Sequence, residues 1–234
     1  MFDPAKTILL ASGNKGKIAE FAELLADFEL EVVGLDAFPD FEEVEETGLT
    51  FEENALLKAR AASAHSGLVA LSDDSGLCVE ALDGAPGVYS ARFSLMASNG
   101  ISESSSLVSG MQPDKTQKDY KARLDEANIA KLLQAMREVP PEERSAFFCS
   151  VIAACAPGEN NYITARGEWP GQITRIPLGS GGFGYDPVFF DPKLKLTAAQ
   201  MSMEVKNSRS HRARALRELR LLWPDFWQRA NKAR

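Results

Sequence analysis

The chain is poor in the residues that would bind zinc or staple a secreted fold. Its 234 residues include three cysteines, Cys78, Cys149 and Cys155, and two histidines, His65 and His211. The cysteine count is odd and no C-x-x-C occurs, which excludes a disulfide framework and the usual zinc spacings. Cys149 and Cys155 lie in the apolar run AFFCSVIAAC and read as reduced core residues. Long hydrophobic runs are also missing: none approaches the roughly 18 residues of a membrane helix. The amino terminus, MFDPAKTILLASGNKGK, carries an acid at Asp3 and only a four-residue apolar run, which does not make a signal peptide. Positive charge is scarce too. Lys and Arg number 26 against 33 Asp and Glu, for a formal net charge of -7. That balance argues against a protein that coats nucleic acid, which needs a basic face. It leaves room for a small phosphorylated ligand in a local positive pocket. The expectation is a cytoplasmic protein with neither a membrane nor a nucleic acid as partner.

What is present is ordinary globular material, 44% hydrophobic and 25% charged. KTILLAS reads as a first strand, and the apolar spacing of Ile18, Phe21, Leu24, Leu25 and Phe28 predicts a helix after it. ELEVVGL reads as a second strand. TFEENALLKARAASAHSG predicts a helix opened by a capping box, Thr50 with Glu53, and ended by Gly67. LVALSDDSGLCVEAL reads as two strands flanking an acidic pair. Residues 94–123 are rich in Ser, Gly, Asn, Gln and Lys without periodicity and predict an exposed insertion within a single domain spanning 1–234. Further on, LDEANIAKLLQAMREV predicts a helix, and SAFFCSVIAACA with NYITARGEWPGQIT a hairpin of long strands. The C-terminal stretch predicts a helix with Leu216, Leu219, Leu222 and Trp223 as its apolar stripe, kinked or ended at Pro224. Strands and helices mix without strict βαβ alternation, so the fold class is α/β with a mixed sheet.

Four constellations carry chemistry. ASGNKGKIAEF joins a strand, a tight turn and a helix start, which with Lys15 and Lys17 reads either as a helix-capping turn with solvated lysines or as an anion site of free N–H groups. Its spacing is not that of the P-loop. Asp73 and Asp74 sit side by side next to Ser75 and Gly76. The pair reads either as a solvated turn or as a metal site joined by one of the glutamates of EEVEETG, since magnesium takes a few carboxylates plus substrate phosphates. GSGGFGYDP crowds glycines around Phe183, Tyr185 and Asp186, which reads either as a long turn with two packed aromatics or as an aromatic and a carboxylate that bind a purine. KNSRSHRARAL places Lys206, Arg209, His211 and Arg212 at a helix start, where the dipole disfavours cations unless an anion is near. A phosphate cradle, an acidic pair, an aromatic clamp and a basic cluster together suit a nucleoside triphosphate with magnesium.

The motifs SGNKGKIAEF, TGLTFEENALLKA, LSDDSGLCVEALDGAPGVYSARF, GGFGYDPVF and SHRARAL, in that order, resemble the inosine triphosphate pyrophosphatase family from about residue 7 to residue 220. The insertion is longer than the family usually carries, and Ser12 stands where Thr is common. The resemblance implies a long twisted mixed β-sheet flanked by helices, two lobes with an active-site cleft between them, and a homodimer. It implies Mg2+-dependent hydrolysis of ITP, dITP and XTP to the monophosphate and pyrophosphate. It further implies that Ser12, Gly13, Asn14, Lys15, Gly16 and Lys17 hold the triphosphate and that Glu45 and Asp74 bind the metal. Asp74 would also act on the attacking water, with Ser75 beside the substrate. Phe183, Gly184, Tyr185, Asp186, Lys206, His211 and Arg212 would bind base and phosphates. The sequence does not divide the roles of Asp73 and Asp74; Asp74 is favoured because Ser75 and the turn follow it directly. Basic donors such as His211 or Arg212 would suit a 6-oxo purine and leave adenine's amino group facing like donors, at about 10- to 100-fold per mismatched contact.

Overall fold

The computed structural model of the protein describes residues 2–42, 44–96, 117–158 and 161–232. The strands are β1 (Thr7–Leu10), β2 (Glu31–Val33), β3 (Val69–Val79), β4 (Ser145–Cys155), β5 (Tyr162–Ile173), β6 (Phe189–Asp191) and β7 (Leu196–Thr197). The helices are α1 (Lys15–Leu25), α2 (Phe51–Ser66), α3 (Gln117–Ala135), α4 (Met203–Arg209) and α5 (His211–Lys232). The strands form one sheet in the order β2-β1-β3-β4-β5-β6-β7. β1 runs parallel to β2 and β3, whereas β6 is antiparallel to β5 and β7, so the sheet is mixed. The chain divides into two compact units, one of Met1–Ser75, Ser150–Glu168 and His211–Arg234, the other of Gly76–Cys149 and Trp169–Ser210.

In the first unit, strand alternation sorts side chains to two faces. Ile8, Leu10, Val69 and Leu71 pack with Phe21 and Leu25 of α1 and with α5. Leu9 and Ala70 pack with Ala62 of α2. Thr50 caps α2 with the expected capping box, and Gly67 ends it in the left-handed region at φ 70°. The buried stripe of α5 is Ala215, Leu219, Trp223, Phe226 and Ala230. Leu222, expected in that stripe, is 42% exposed. Pro224 does not end the helix. The buried aromatics on both sides of it, Trp223 and Phe226, hold the turn together although Pro removes a hydrogen bond.

The second unit buries Leu77, Val79, Leu132, Met136, Trp169 and Phe189 among others. Asn128 of α3 fastens the irregular segment Gly87–Leu95. Its Oδ1 accepts the Ser94 N–H at 2.7 Å, and its Nδ2 donates to the carbonyls of Ser90 and Ala91 at 3.3 and 3.2 Å. Ser94 is therefore buried, and α3 already begins at Gln117, so both ends of the expected insertion are ordered into the unit. Its centre, 97–116, lies outside the described residues.

Candidate active site

β3 is one unbroken strand of 11 residues, with Asp73 and Asp74 inside it rather than in a turn between two strands. The pairing of β1 with β3 ends at Leu10 and Leu71. The chain of β1 then turns away into α1, and the stretch of β3 beyond Leu71 lies past the carboxyl end of β1, where open α/β sheets place their ligands. Adjacent residues of a strand point to opposite faces, so the two carboxylates meet different side chains although both stand beyond the end of the β1–β3 ladder.

Asp73 continues the row of Val69 and Leu71 toward α1 and α5. One of its oxygens accepts Lys17 Nζ at 2.6 Å; the other accepts Arg212 Nε and Nη2 at 3.3 and 3.2 Å. Burial pushes the Asp73 carboxyl up, but Lys17 and Arg212 outweigh it and hold it below the usual range. Asp74 continues the row of Ala70 and Ser72 toward α2. Ser72 Oγ donates to the Ala55 carbonyl of that helix. Lys58 of α2 lies 3.5 Å from Asp74 Oδ1 and 2.7 Å from Glu46 Oε1, and donates to the Asp73 carbonyl at 3.0 Å. Burial pushes the Asp74 carboxyl up; Lys58 opposes this, Glu46 adds to it, and the net result is upward. For Lys58, burial pulls down, but Asp74 and Glu46 prevail and the ammonium is held above its ordinary range.

Charge is thus sorted by face. One carboxylate meets two cations on the α1/α5 side, and two carboxylates meet one cation on the α2 side. The buried Asp74 Oδ2 has no hydrogen-bond partner among the described residues. An uncompensated carboxylate oxygen beside a second carboxylate suits a hard divalent cation. No cluster of three His, Cys, Asp or Glu occurs among the described residues.

The turn after β1 is capped from within. Asn14 Oδ1 accepts the N–H groups of Gly16 at 2.9 Å and Lys17 at 3.4 Å, and Ser12 Oγ accepts that of Asn14. Several donors expected to face a phosphate are therefore already occupied, and the Lys17 ammonium is shared with Asp73. Gly13 and Gly16 have little around them; the Lys15 side chain lies outside the described residues.

The glycine-rich loop belongs to the second unit. Asp186 is buried, and its Oδ2 accepts the Phe183 N–H at 2.8 Å and pairs with Lys206. Gly182, at φ 76°, leaves room for that carboxylate: a Cβ there would lie 2.0 Å from Asp186 Oδ2. Tyr185 is buried and donates to the Ser90 carbonyl at 2.9 Å. Asp125 Oδ2 of α3 accepts the Gly184 N–H at 2.9 Å. Phe183 is the residue of this turn that faces outward, 58% exposed, with Lys206 Nζ 4.6 Å from its ring centre.

The Ham1 family model matches residues 8–124 and 112–222. This chain belongs to the Ham1 family. The dITP/XTP pyrophosphatase of Nitratidesulfovibrio vulgaris is 50% identical over 222 residues, covering 95% of this chain and 98% of that protein. That of Xanthomonas axonopodis pv. citri is 49% identical over 215 residues, covering 92% and 95%. Among solved structures, a Ham1 protein of Coxiella burnetii matches with a TM-score of 0.76 at 38% identity, covering 94% of this chain and 99% of that one. The Staphylococcus aureus Ham1 protein matches with a TM-score of 0.75 at 38% identity, covering 93% and 97%.

Within this Ham1 chain, Lys17, Asp73, Asp74 and Arg212 come together on and around β3. Phe183 to Asp186 and Lys206 come together in the second unit. Glu45, expected beside Asp74, is exposed, and its neighbour Glu46 is the glutamate that reaches Lys58. Ser75 and His211 are half-buried, with His211 at the first position of α5. The basic cluster does not share one helix start. Lys206 and Arg209 lie in the last turn of α4, where the dipole favours cations, and only His211 and Arg212 open a helix. Sequence reasoning missed Lys58 and Asp125, and left Glu46 as one of several candidate glutamates. Lys58 carried a legible signal: it falls within the stripe of Asn54, Ala55, Ala59 and Ala62, which the structure buries.

Proposed function

We propose that this chain hydrolyses purine nucleoside triphosphates with hypoxanthine or xanthine bases, ITP, dITP and XTP, to the monophosphate and pyrophosphate. The observation that carries the reading is the division of charge across β3. A triphosphate is drawn to the side with excess positive charge, a metal ion to the side with excess negative charge, and the two lie one residue apart in the chain. The names of the relatives, at about half identity over nearly the whole chain, point to the same substrates.

In this reading Lys17 and Arg212 exchange part of their contact with Asp73 for phosphate oxygens. Asp73 stays ionised and keeps both cations oriented. Asp74 takes a proton from the attacking water as the positioned base. Asp74 and Glu46 would hold Mg2+, which supplies charge to stabilise the pyrophosphate leaving group. Ser12 to Lys17 and Ser75 line the phosphate end. Phe183 stacks on the base, while Gly184, Tyr185 and Asp186 hold its turn. Lys206, His211 and Arg212 supply donors that suit a 6-oxo purine.

The family resemblance alone supports the further reading that the protein works as a homodimer. No helix among the described residues is long and apolar enough to cross a membrane. The three buried free thiols suit the reducing cytoplasm. The test of the activity is pyrophosphate release across a panel of NTPs and dNTPs with and without magnesium. Turnover of ITP, dITP and XTP well above that of ATP and GTP is expected. Equal turnover of all of them, or none, would overturn the reading.

A further inference from the structure

Phe183 carries a second ammonium group that the turn itself does not supply. Lys121 Nζ lies 5.5 Å from the ring centre, in addition to Lys206 Nζ at 4.6 Å. Lys121 stands one turn before Asp125 on α3, and Asp125 Oδ2 accepts the Gly184 N–H at 2.9 Å. A single turn of α3 therefore does two things: it fixes the backbone just after Phe183 and brings a cation to the ring.

The charges around this turn are segregated. From α3 come Lys121 and Asp125, from α4 Lys206, and from the loop itself Asp186; Tyr185 is buried and its hydroxyl is used on Ser90. The two carboxylates spend acceptor capacity on the backbone, Asp186 on the Phe183 N–H and Asp125 on the Gly184 N–H. The two ammonium groups lie against the ring instead. Lys206 is paired with buried Asp186, which leaves it largely compensated. Lys121 is exposed at the ring and is the cation best placed to act on whatever stacks there.

Resting on the reading that Phe183 faces the base, we propose that Lys121 is a specificity-determining residue that favours purines carrying negative charge on the ring. Xanthine loses a ring proton near neutral pH, whereas hypoxanthine keeps its proton well into the alkaline range. Both nucleotides carry the same triphosphate, so a cation beside the base distinguishes them by the ring charge and the 2-oxo group of xanthine, and the pH series separates the two. Lys121 tilts the enzyme toward XTP over ITP.

The experiment is kcat/KM for XTP and ITP with the full-length protein at saturating magnesium. Wild type is compared with Lys121→Gln, Lys121→Glu and Lys121→Arg, at low and high salt and on both sides of the xanthine ionisation. The ratio of XTP to ITP should fall about fivefold in Lys121→Gln, the scale of one unit charge about 5 Å from another in a water-like setting. It should fall further in Lys121→Glu and stay near wild type in Lys121→Arg. High salt should shrink the difference, and so should acid that protonates xanthine. The affinities of the free enzyme for XMP and IMP, measured by calorimetry, should shift in the same sense, which separates binding from chemistry. If Lys121→Gln and Lys121→Glu turn over both nucleotides with an unchanged ratio, the proposal fails while the pyrophosphatase reading stands. If wild type turns over neither nucleotide, both fail.

Discussion

Asp73 and Asp74 are identical side chains one peptide apart, and their surroundings drive them in opposite directions. Two cations hold Asp73 ionised; burial and Glu46 raise Asp74 against the pull of Lys58. Asp74→Asn removes the charge and the basic oxygen with almost no change of shape. Turnover should fall by about 100-fold or more, the scale for losing a positioned base, and the magnesium curve should move to higher concentration. Because the substitution relieves a half-buried carboxylate that Lys58 only partly compensates, the metal-free protein should melt no lower than wild type. Pyrophosphate release over a magnesium titration, beside thermal melts, checks all three; near-wild-type turnover on an unshifted curve would remove Asp74 from the chemistry. Lys17→Ala tests the opposite face. Arg212 still pairs with Asp73, so the fold should survive, while the loss of a charge-assisted phosphate contact, about 1.5–3 kcal/mol, should raise KM for the triphosphate. An unchanged KM and turnover would sink the assignment.

At the scale of elements, the start of α2 determines where Glu46 stands. Glu53 Oε2 accepts the N–H groups of Leu49 and Thr50, at 2.6 and 3.1 Å, and Asn54 Oδ1 accepts that of Gly48 at 2.8 Å. The segment that carries Glu46 is thereby tied to the same helix that carries Lys58. Gly48 is where this binding is tightest: a Cβ there would approach Asn54 Oδ1 and the Glu53 Cβ at 2.7 Å each. Gly48→Ala should force the segment off the helix. The expected result is a loss of about 1–3 kcal/mol in stability and a higher magnesium requirement, with turnover at saturating magnesium largely retained. Denaturant melts and a magnesium titration test it. An unshifted magnesium curve would mean that Glu46 takes no part in holding the metal.

At the scale of the whole molecule, acid stability depends on a buried carboxylate of the second unit. Asp191 ends β6 almost fully buried. It accepts Trp169 Nε1–H at 3.0 Å and the N–H groups of Lys193 and Leu194, and it pairs with Arg209 at 3.5 Å. Burial pushes its carboxyl up, but the Trp169 bond, the two backbone donors and Arg209 outweigh burial and hold it below the ordinary value of about 4. A carboxylate depressed in the folded state contributes its stability above its unfolded pKa and loses it as pH falls through the folded one. Wild type should therefore lose stability on acidification below about pH 4 more steeply than Asp191→Asn, and the two melting curves should converge there. A constant gap between them from neutral pH to acid would show that Asp191 stabilises by packing alone.

The sequence by itself determined a good deal. Capping at Thr50 and Gly67, the apolar spacing of α1 and the long strands β4 and β5 are local properties, legible in the order of residues. So were the motifs that place the chain in its family, because they are strings of neighbours. Pro224 showed the limit of that kind of reading. A local rule breaks the helix there, and the aromatic core formed with Trp223 and Phe226 overrides it. The acidic pair showed it more sharply. Two adjacent aspartates look like a turn or a shared metal site, and nothing nearby in the sequence says that they belong to opposite faces. Only the sheet decided that, by running β3 straight through them and packing α2 against one side and α1 with α5 against the other. Lys58, Glu46 and Arg212 reach the pair from 15, 28 and 139 residues away. Cations and carboxylates so far apart in the chain acquire their partners only when the fold closes, because electrostatic pairing depends on distance in space and not on order along the chain.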